Sequence, residues 1–183
     1  MTRPRADPAY TVRQASPERD AAACAAVYAP FVEQGAVSFE EIPPDAAEMA
    51  ARIDAAHVWL VAEHERDGVV GFAYGAGHRE RAAYRWAADV SVYIGAAHHR
   101  RGLGRVLYAD LFEMLRSQGL CVLCAGITAP NEASNAIHAA LGFELVGTYR
   151  RIGWKHGAWH DVSWLQLDLR DGAPPPPLAG SEA

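Results

Sequence analysis

The chain reads as a single mixed α/β domain, and three observations say so. Period-two apolar runs alternate with helical ones along residues 10–170 in the order β α α β β β α β α β β. One central stretch, WAADVSVYIGAAHHRRGLGRVL at 86–107, passes from a β-branched strand through a basic, glycine-bearing turn into a helix. The 183 residues, 50% of them hydrophobic, suit one core, and no repeat or composition break marks a second domain. The pattern leaves open which strands run parallel.

Each element has its own signal. Residues 1–9 read as a flexible arm, and 10–14 as a short strand. Ser16-Pro17 opens a helix, with Ser as cap and Pro at the first position. Its apolar stripe is Ala21, Cys24, Ala25, Tyr28, Phe31 and Val32. Pro30 should kink or end that helix near Ala29. Residues 36–45 form a loop carrying Phe39, Glu40 and Glu41. Asp45 and Glu48 then fit a capping box for a helix at 46–56, with Met49 and Ile53 on its apolar face. Strands at 58–63 and 69–75 flank the Asp67-Gly68 turn as a hairpin.

After the polar connection HRERAAYR at 78–85 comes the central strand, 87–94. Val90, Val92 and Ile94 fall on one side of its pleat, and Asp89, Ser91 and Tyr93 on the other. Leu103, Val106, Leu107, Leu111, Met114 and Leu115 follow at helical spacing, and Gly119 stops that helix. Residues 120–127 are almost wholly apolar, as in a strand buried on both faces. A short helix opens at Pro130-Asn131 and ends at Gly142. Strands at 143–152 and 159–169 meet around Gly157. The tail at 171–183, DGAPPPPLAGSEA, reads as Pro-rich and disordered.

Bulk properties exclude several classes. The net charge of −5 and pI near 5.9 argue against a general nucleic-acid binder. No apolar run approaches the ~20 residues of a membrane span, and the first ten residues lack a signal-peptide core. Three scattered cysteines make no disulfide framework. The expectation is a soluble, cytoplasmic protein.

The central stretch carries the chemistry. A strand feeding a glycine turn and then a helix presents free backbone N–H groups at the positive end of the helix dipole, a seat for a phosphate or pyrophosphate. No Lys-Ser or Lys-Thr follows, as a nucleotide P-loop would need, and Leu107 stands where a dinucleotide fingerprint needs glycine. Asp89 is the sole acid on the central strand. Asn131, Ser134 and His138, at i, i+3 and i+7, share one face of the short helix.

HRRGLG at 99–104 resembles the (Q/R)xxGx(G/A) signature of the acetyl-CoA-dependent N-acetyltransferases, the GNAT superfamily. His99 stands where that family usually has Gln or Arg. The element order is similar too, so the resemblance covers about residues 10–170 and implies the single-domain GNAT fold. Within the superfamily the chain looks like the phosphinothricin and methionine sulfoximine N-acetyltransferases. VSFEE near 37, RxxYxW at 81–86, SVYI at 91–94, PNEASNAIHAALGF at 130–143 and WKHGAWHDV at 154–162 are collinear matches.

The resemblance implies acetyl-CoA as co-substrate and no metal. Val90, Ser91, Val92, Tyr93 and Ile94 would hold its acetyl and pantetheine portions. His99, Arg100, Arg101, Gly102, Leu103, Gly104 and Arg105 would hold its pyrophosphate, with Asn131 and Ser134 also on the cofactor side. Asp89 would be the base for the acceptor amine, directly or through a water, at a position where relatives usually carry the longer Glu. His138, where many relatives have Tyr, would serve as acid for the departing thiolate or as an alternative base. Arg79 and Arg81 would orient an acceptor carboxylate or phosphinate bidentately, and Phe39, Ala87 and Ala88 would wall the acceptor site.

Other patterns carry less. Cys121 and Cys124 have CxxC spacing, but i and i+3 point to opposite faces of a strand and read as core. The histidine pairs 98/99 and 156/160 lack metal-ligand spacing. The hairpin at 154–161 borders either a dimer interface or the acceptor pocket. The expected function is transfer of acetyl from acetyl-CoA to the α-amino group of a small amino-acid analogue, by direct attack in a ternary complex. Another amine acceptor, or CoA binding without turnover, are the competing readings. The expected partners are a small-molecule amine and a second copy of the chain, with no nucleic acid and no membrane.

Overall fold

The computed structural model describes residues 7–170 together with Gly172 and Pro175. Most of the expected N-terminal arm and Pro-rich tail lies outside the described residues. The elements are β1 (Tyr10–Gln14), α1 (Pro17–Glu33), α2 (Ala46–Ala55), β2 (Val58–His64), β3 (Gly68–Gly77), β4 (Ala87–Ile94), α3 (Leu103–Ser117), β5 (Val122–Thr128), α4 (Glu132–Ala140), β6 (Glu144–Lys155) and β7 (Ala158–Asp168). This is the order the periodicities predict.

The seven strands form one sheet in the order β1-β2-β3-β4-β5-β7-β6. Every pairing is antiparallel except β4 with β5. Two cores cover its faces. On one, Leu103, Leu107, Leu111 and Leu115 of α3 pack onto Leu60, Ala73, Val90 and Leu123. Each such leucine contributes about 1.5–3 kcal/mol by leaving water. On the other, Tyr28 and Val32 of α1 and Met49 and Ile53 of α2 cover Trp59, Val61 and Phe72.

Three local expectations change. Helix α1 passes through Pro30 and ends only at Glu33. The proline costs one backbone hydrogen bond, but Tyr28 and Val32 on either side of it are buried, and their packing holds the last turn together. Ser16 caps by position alone, without a side-chain cap bond. The buried carboxylate of Asp20 instead accepts the Ser16 backbone N–H at 2.8 Å. Strand β5 is buried on one face only. Leu123, Ala125 and Ile127 face the α3 core, while Cys124 and Thr128 are half-exposed and Gly126 is exposed. Its partner β4 leaves it early, and that departure builds the site.

Candidate active site

Parallel pairing of β4 with β5 covers only Ala87↔Val122, Ala88↔Leu123 and Asp89↔Cys124. Beyond that the two strands part. The backbone groups of residues 90–94 on the β5 side therefore lose their sheet partners and face open space. The opening widens into a cleft of about 660 Å³ lined by residues 90–94 of β4, residues 125–128 of β5, the turn before α3 and the inner face of α4.

The turn is shaped for an anion. Arg100 and Gly102 both adopt left-handed φ, 62° and 77°. Gly102 is the N-cap of α3, and Arg105 and Val106 return their N–H groups to its carbonyl at 3.1 and 3.3 Å. The preceding first-turn amides, of Leu103 and Gly104, have no helical acceptor and lie at the positive end of the helix. Gly104 has a second use that spacing did not reveal. A Cβ there would stand 2.8 Å from Ile137 Cδ1, so its absence lets α3 start close against α4. His99 donates from Nε2 to the Ile94 carbonyl at 2.7 Å, tying the turn to β4.

Of the residues expected at the cofactor, the cleft brings together Val90, Ser91, Val92, Tyr93, Ile94, His99, Arg100, Gly102, Leu103, Gly104, Arg105, Asn131 and Ser134, together with His138. Arg101 is exposed and is not among the lining residues. Asn131 also caps α4, accepting the Ser134 N–H at 3.1 Å.

His138 is buried on α4. Its Nδ1 donates to the Ser134 carbonyl at 2.7 Å, so in the neutral ring Nε2 is an acceptor, and Tyr108 Oη donates to it at 3.1 Å. Burial lowers the imidazole pKa, and the Ser134 carbonyl partly offsets this. Tyr108, inside α3, is wholly enclosed, and burial raises its phenol pKa. Sequence reasoning missed Tyr108. The signal was a tyrosine on the apolar stripe of α3, whose hydroxyl needs a buried partner.

Asp89 stands at the last paired position before the strands part. Burial raises its pKa, partly offset by His78, whose Nδ1 donates to Asp89 Oδ1 at 2.6 Å. His78, Asp89 and Cys124 each bring one donor atom within 4.8 Å of the others. Burial pushes the Cys124 thiol up to about 11, so it stays protonated at neutral pH. In the sequence His78 is simply the first residue of the polar connection at 78–85. Its proximity to Asp89 follows from the β3–β4 register, where Gly77 pairs with Ala88.

The expected acceptor residues scatter. Ala88 is buried in the α3 core, and Ala87 is half-buried at the foot of β4. Arg79 and Arg81 are exposed in the β3–β4 connection, outside the cleft. Phe39 lies on Gly153 of β6, where its ring occupies the space a Cβ would need, and near His160 at 6.1 Å between centroids. Phe31 of α1 and Val37 of the loop that follows it reach the cleft instead.

On the opposite face of the sheet lies a second cavity of about 240 Å³, lined by Tyr28, Arg52, Trp59, Phe72, Tyr74, Ala76 and Tyr93 among others. Tyr93 borders both spaces. Arg52 in this wall is held by Glu40 through two bonds of 2.9 Å, and the guanidinium lowers the Glu40 pKa.

The chain is similar to known proteins over most of its length. The profile of the Acetyltransferase (GNAT) domain matches residues 14–164. A phosphinothricin N-acetyltransferase of Streptomyces viridochromogenes is 38% identical over 163 residues, 87% of this chain and 88% of that protein. An L-methionine sulfoximine/L-methionine sulfone acetyltransferase of Pseudomonas paraeruginosa is 34% identical over 148 residues, 79% of this chain and 86% of its own length. The crystal structure of a Sinorhizobium meliloti phosphinothricin acetyltransferase in complex with acetyl-CoA superposes with a TM-score of 0.86 at 33% identity, covering 92% of this chain and 94% of that one.

Proposed function

The chain belongs to the GNAT acetyltransferases and uses acetyl-CoA as co-substrate, and from that premise we propose that it acetylates the α-amino group of a small amino-acid analogue of the phosphinothricin or methionine sulfoximine kind. The observation that carries this reading is the parting of β4 from β5 after Asp89, which opens a cleft ending at the N-terminus of α3. The residues present fit acetyl-CoA. The left-handed Gly102, the free first-turn amides and the Arg100 and Arg105 side chains suit its pyrophosphate. The unpaired edge of residues 90–94 suits its peptide-like arm. Bound there, acetyl-CoA supplies an activated acetyl group.

The chain's own groups divide the remaining work. Asp89, Ser91 and Tyr93 project from β4 to the α1–α2 face, away from the α3 core. The cavity of about 240 Å³ on that face, whose wall includes Tyr93, is the acceptor's approach. It is smaller than the roughly 300–1,000 Å³ of drug-sized sites, which favours an amino acid over an aminoglycoside. Arg79, whose charge is felt at Asp89, and Arg81, both exposed in the β3–β4 connection beside this face, are the cations proposed to pair with a carboxylate or phosphinate. Backbone N–H groups freed by the parting suit the charge that develops on the carbonyl oxygen. Asp89 is the seat of proton removal from the amine, directly or through a relay. His138 and Tyr108 form the proton-bearing pair beside the cleft, available to the departing thiolate. Because both substrates reach β4 from opposite faces, direct attack in a ternary complex requires no covalent enzyme intermediate.

A panel of phosphinothricin, methionine sulfoximine, methionine sulfone, polyamines and aminoglycosides, followed by CoA thiol release, tests the proposal. Turnover is expected with the amino-acid analogues. Release at the background rate with all three analogues would remove the proposed acceptor class. Asp89→Asn should lower kcat at neutral pH by roughly 10²–10⁴-fold, the usual contribution of a general base.

A further inference from the structure

His78 follows the last residue of β3, and its backbone N–H donates to the Ala87 carbonyl at 3.3 Å. That bond hangs its ring over Asp89, two residues along β4. Nδ1 is committed to the Asp89 carboxylate at 2.6 Å. Tyr84 and Trp164 meet the ring at steep angles, with centroids 5.8 and 6.0 Å away, and so fix its plane. Trp164 in turn lies against the backbone of Gly126, in the wall of the cleft. The titratable and charged groups around this imidazole are Asp89, the protonated Cys124, Tyr84 and Arg79.

A carboxylate that accepts from Nδ1–H selects the tautomer with its lone pair on Nε2 and steadies the imidazolium that forms when Nε2 takes a proton. We propose that His78 Nε2 is the atom that deprotonates the acceptor amine, with Asp89 as its positioning partner. The inference rests on the reading of Asp89 as the seat of proton removal, and it names the relay. One physical argument favours imidazole over a bare carboxylate. Imidazole is the stronger base, with an ordinary pKa of about 6.5 against about 3.9 for Asp, so proton transfer from an ammonium is less uphill.

The step balances. The ammonium gives one proton to Nε2, and the freed lone pair forms the N–C bond to the thioester carbonyl as the C–S bond breaks. The second proton lost from nitrogen ends on the CoA sulfur, and the imidazolium returns its proton to water.

The test is the pH dependence of kcat at saturating substrates, in the wild type, His78→Asn and His78→Gly. Asn keeps a donor for Asp89 but offers no base. Calorimetric CoA binding equal to wild type certifies the fold of both variants. The wild type is expected to lose activity on acidification, because an Nε2 that already carries a proton cannot accept one from the amine. His78→Asn should lose roughly 10²–10⁴-fold in kcat together with that acid limb. Added imidazole should restore part of the rate in His78→Gly but not in Asp89→Asn. An Asn variant that keeps kcat within about threefold, with the acid limb unmoved, overturns the role of His78. Asp89→Asn tells the two ideas apart. If it too is unimpaired, the reading of Asp89 fails. If it alone is impaired, only the assignment to His78 fails.

Discussion

Single residues on this fold are held by charge and by backbone conformation, and both can be measured. Asp20, in the first turn of α1, is buried and accepts two bonds from Arg13, at 2.7 and 2.8 Å, plus the Ser16 N–H. The Arg13 guanidinium holds its carboxyl below the usual range. A carboxyl with a depressed folded pKa contributes stability that is complete above its unfolded value, about 3.9, and is lost as pH falls through the folded value. The denaturation midpoint should therefore fall on acidification below about pH 4, and Asp20→Ala should remove that part of the slope. Asp20→Ala should also cost about 3 kcal/mol at neutral pH, the lower end for a broken buried pair, because Arg13 keeps Glu63 at 2.7 Å. Gly102→Ala forces a Cβ into left-handed φ. It should cost about 1 kcal/mol of stability and raise the Kd for CoA, read by urea titration and calorimetry.

Individual elements show where local signals suffice. The strand–turn–helix of β4 and α3 was legible because its pleat, its glycines and its apolar stripe follow one another along residues 87–115. The Asp45 cap was equally legible, and Asp45 accepts the Glu48 N–H at 2.8 Å as the capping box requires. Pro30 misled because a helix end is decided by what the last turn buries. Strand β5 misled because small, apolar residues such as Cys124 and Gly126 say nothing about whether a neighbouring strand stays beside them. His78 was overlooked for a related reason. It meets Asp89 across the sheet through the β3–β4 register, which the periodicity of either strand alone does not record.

At the scale of the whole molecule, a cavity lies on each face of the sheet beside β4, and the β6 edge is apolar. Strand β6 ends the sheet, and Leu145, Val146, Tyr149, Ile152 and Trp154 on it are all more than half exposed, with Trp159 beside them on β7. A long apolar edge of this kind is a pairing surface. Two copies of the chain are expected to meet along it. Sedimentation should give twice the chain mass at micromolar concentration, and Ile152→Lys with Trp154→Glu should shift the chain to monomer. A wild-type monomer under those conditions would refute the dimer. Among the described residues no helix is long and apolar enough to cross a membrane.

By itself the sequence determined the element order, the glycine-bearing turn before α3 and the alternation that sends Asp89 and Val90 to opposite faces of β4. All three depend on interactions between near neighbours, whose periods are written directly in the residue types. Only the tertiary structure decided that β4 leaves β5 after Asp89, that His138 is enclosed with Tyr108, and that His78 closes on the carboxylate. Those outcomes depend on sheet register and on which core claims each strand, and packing between distant segments sets both.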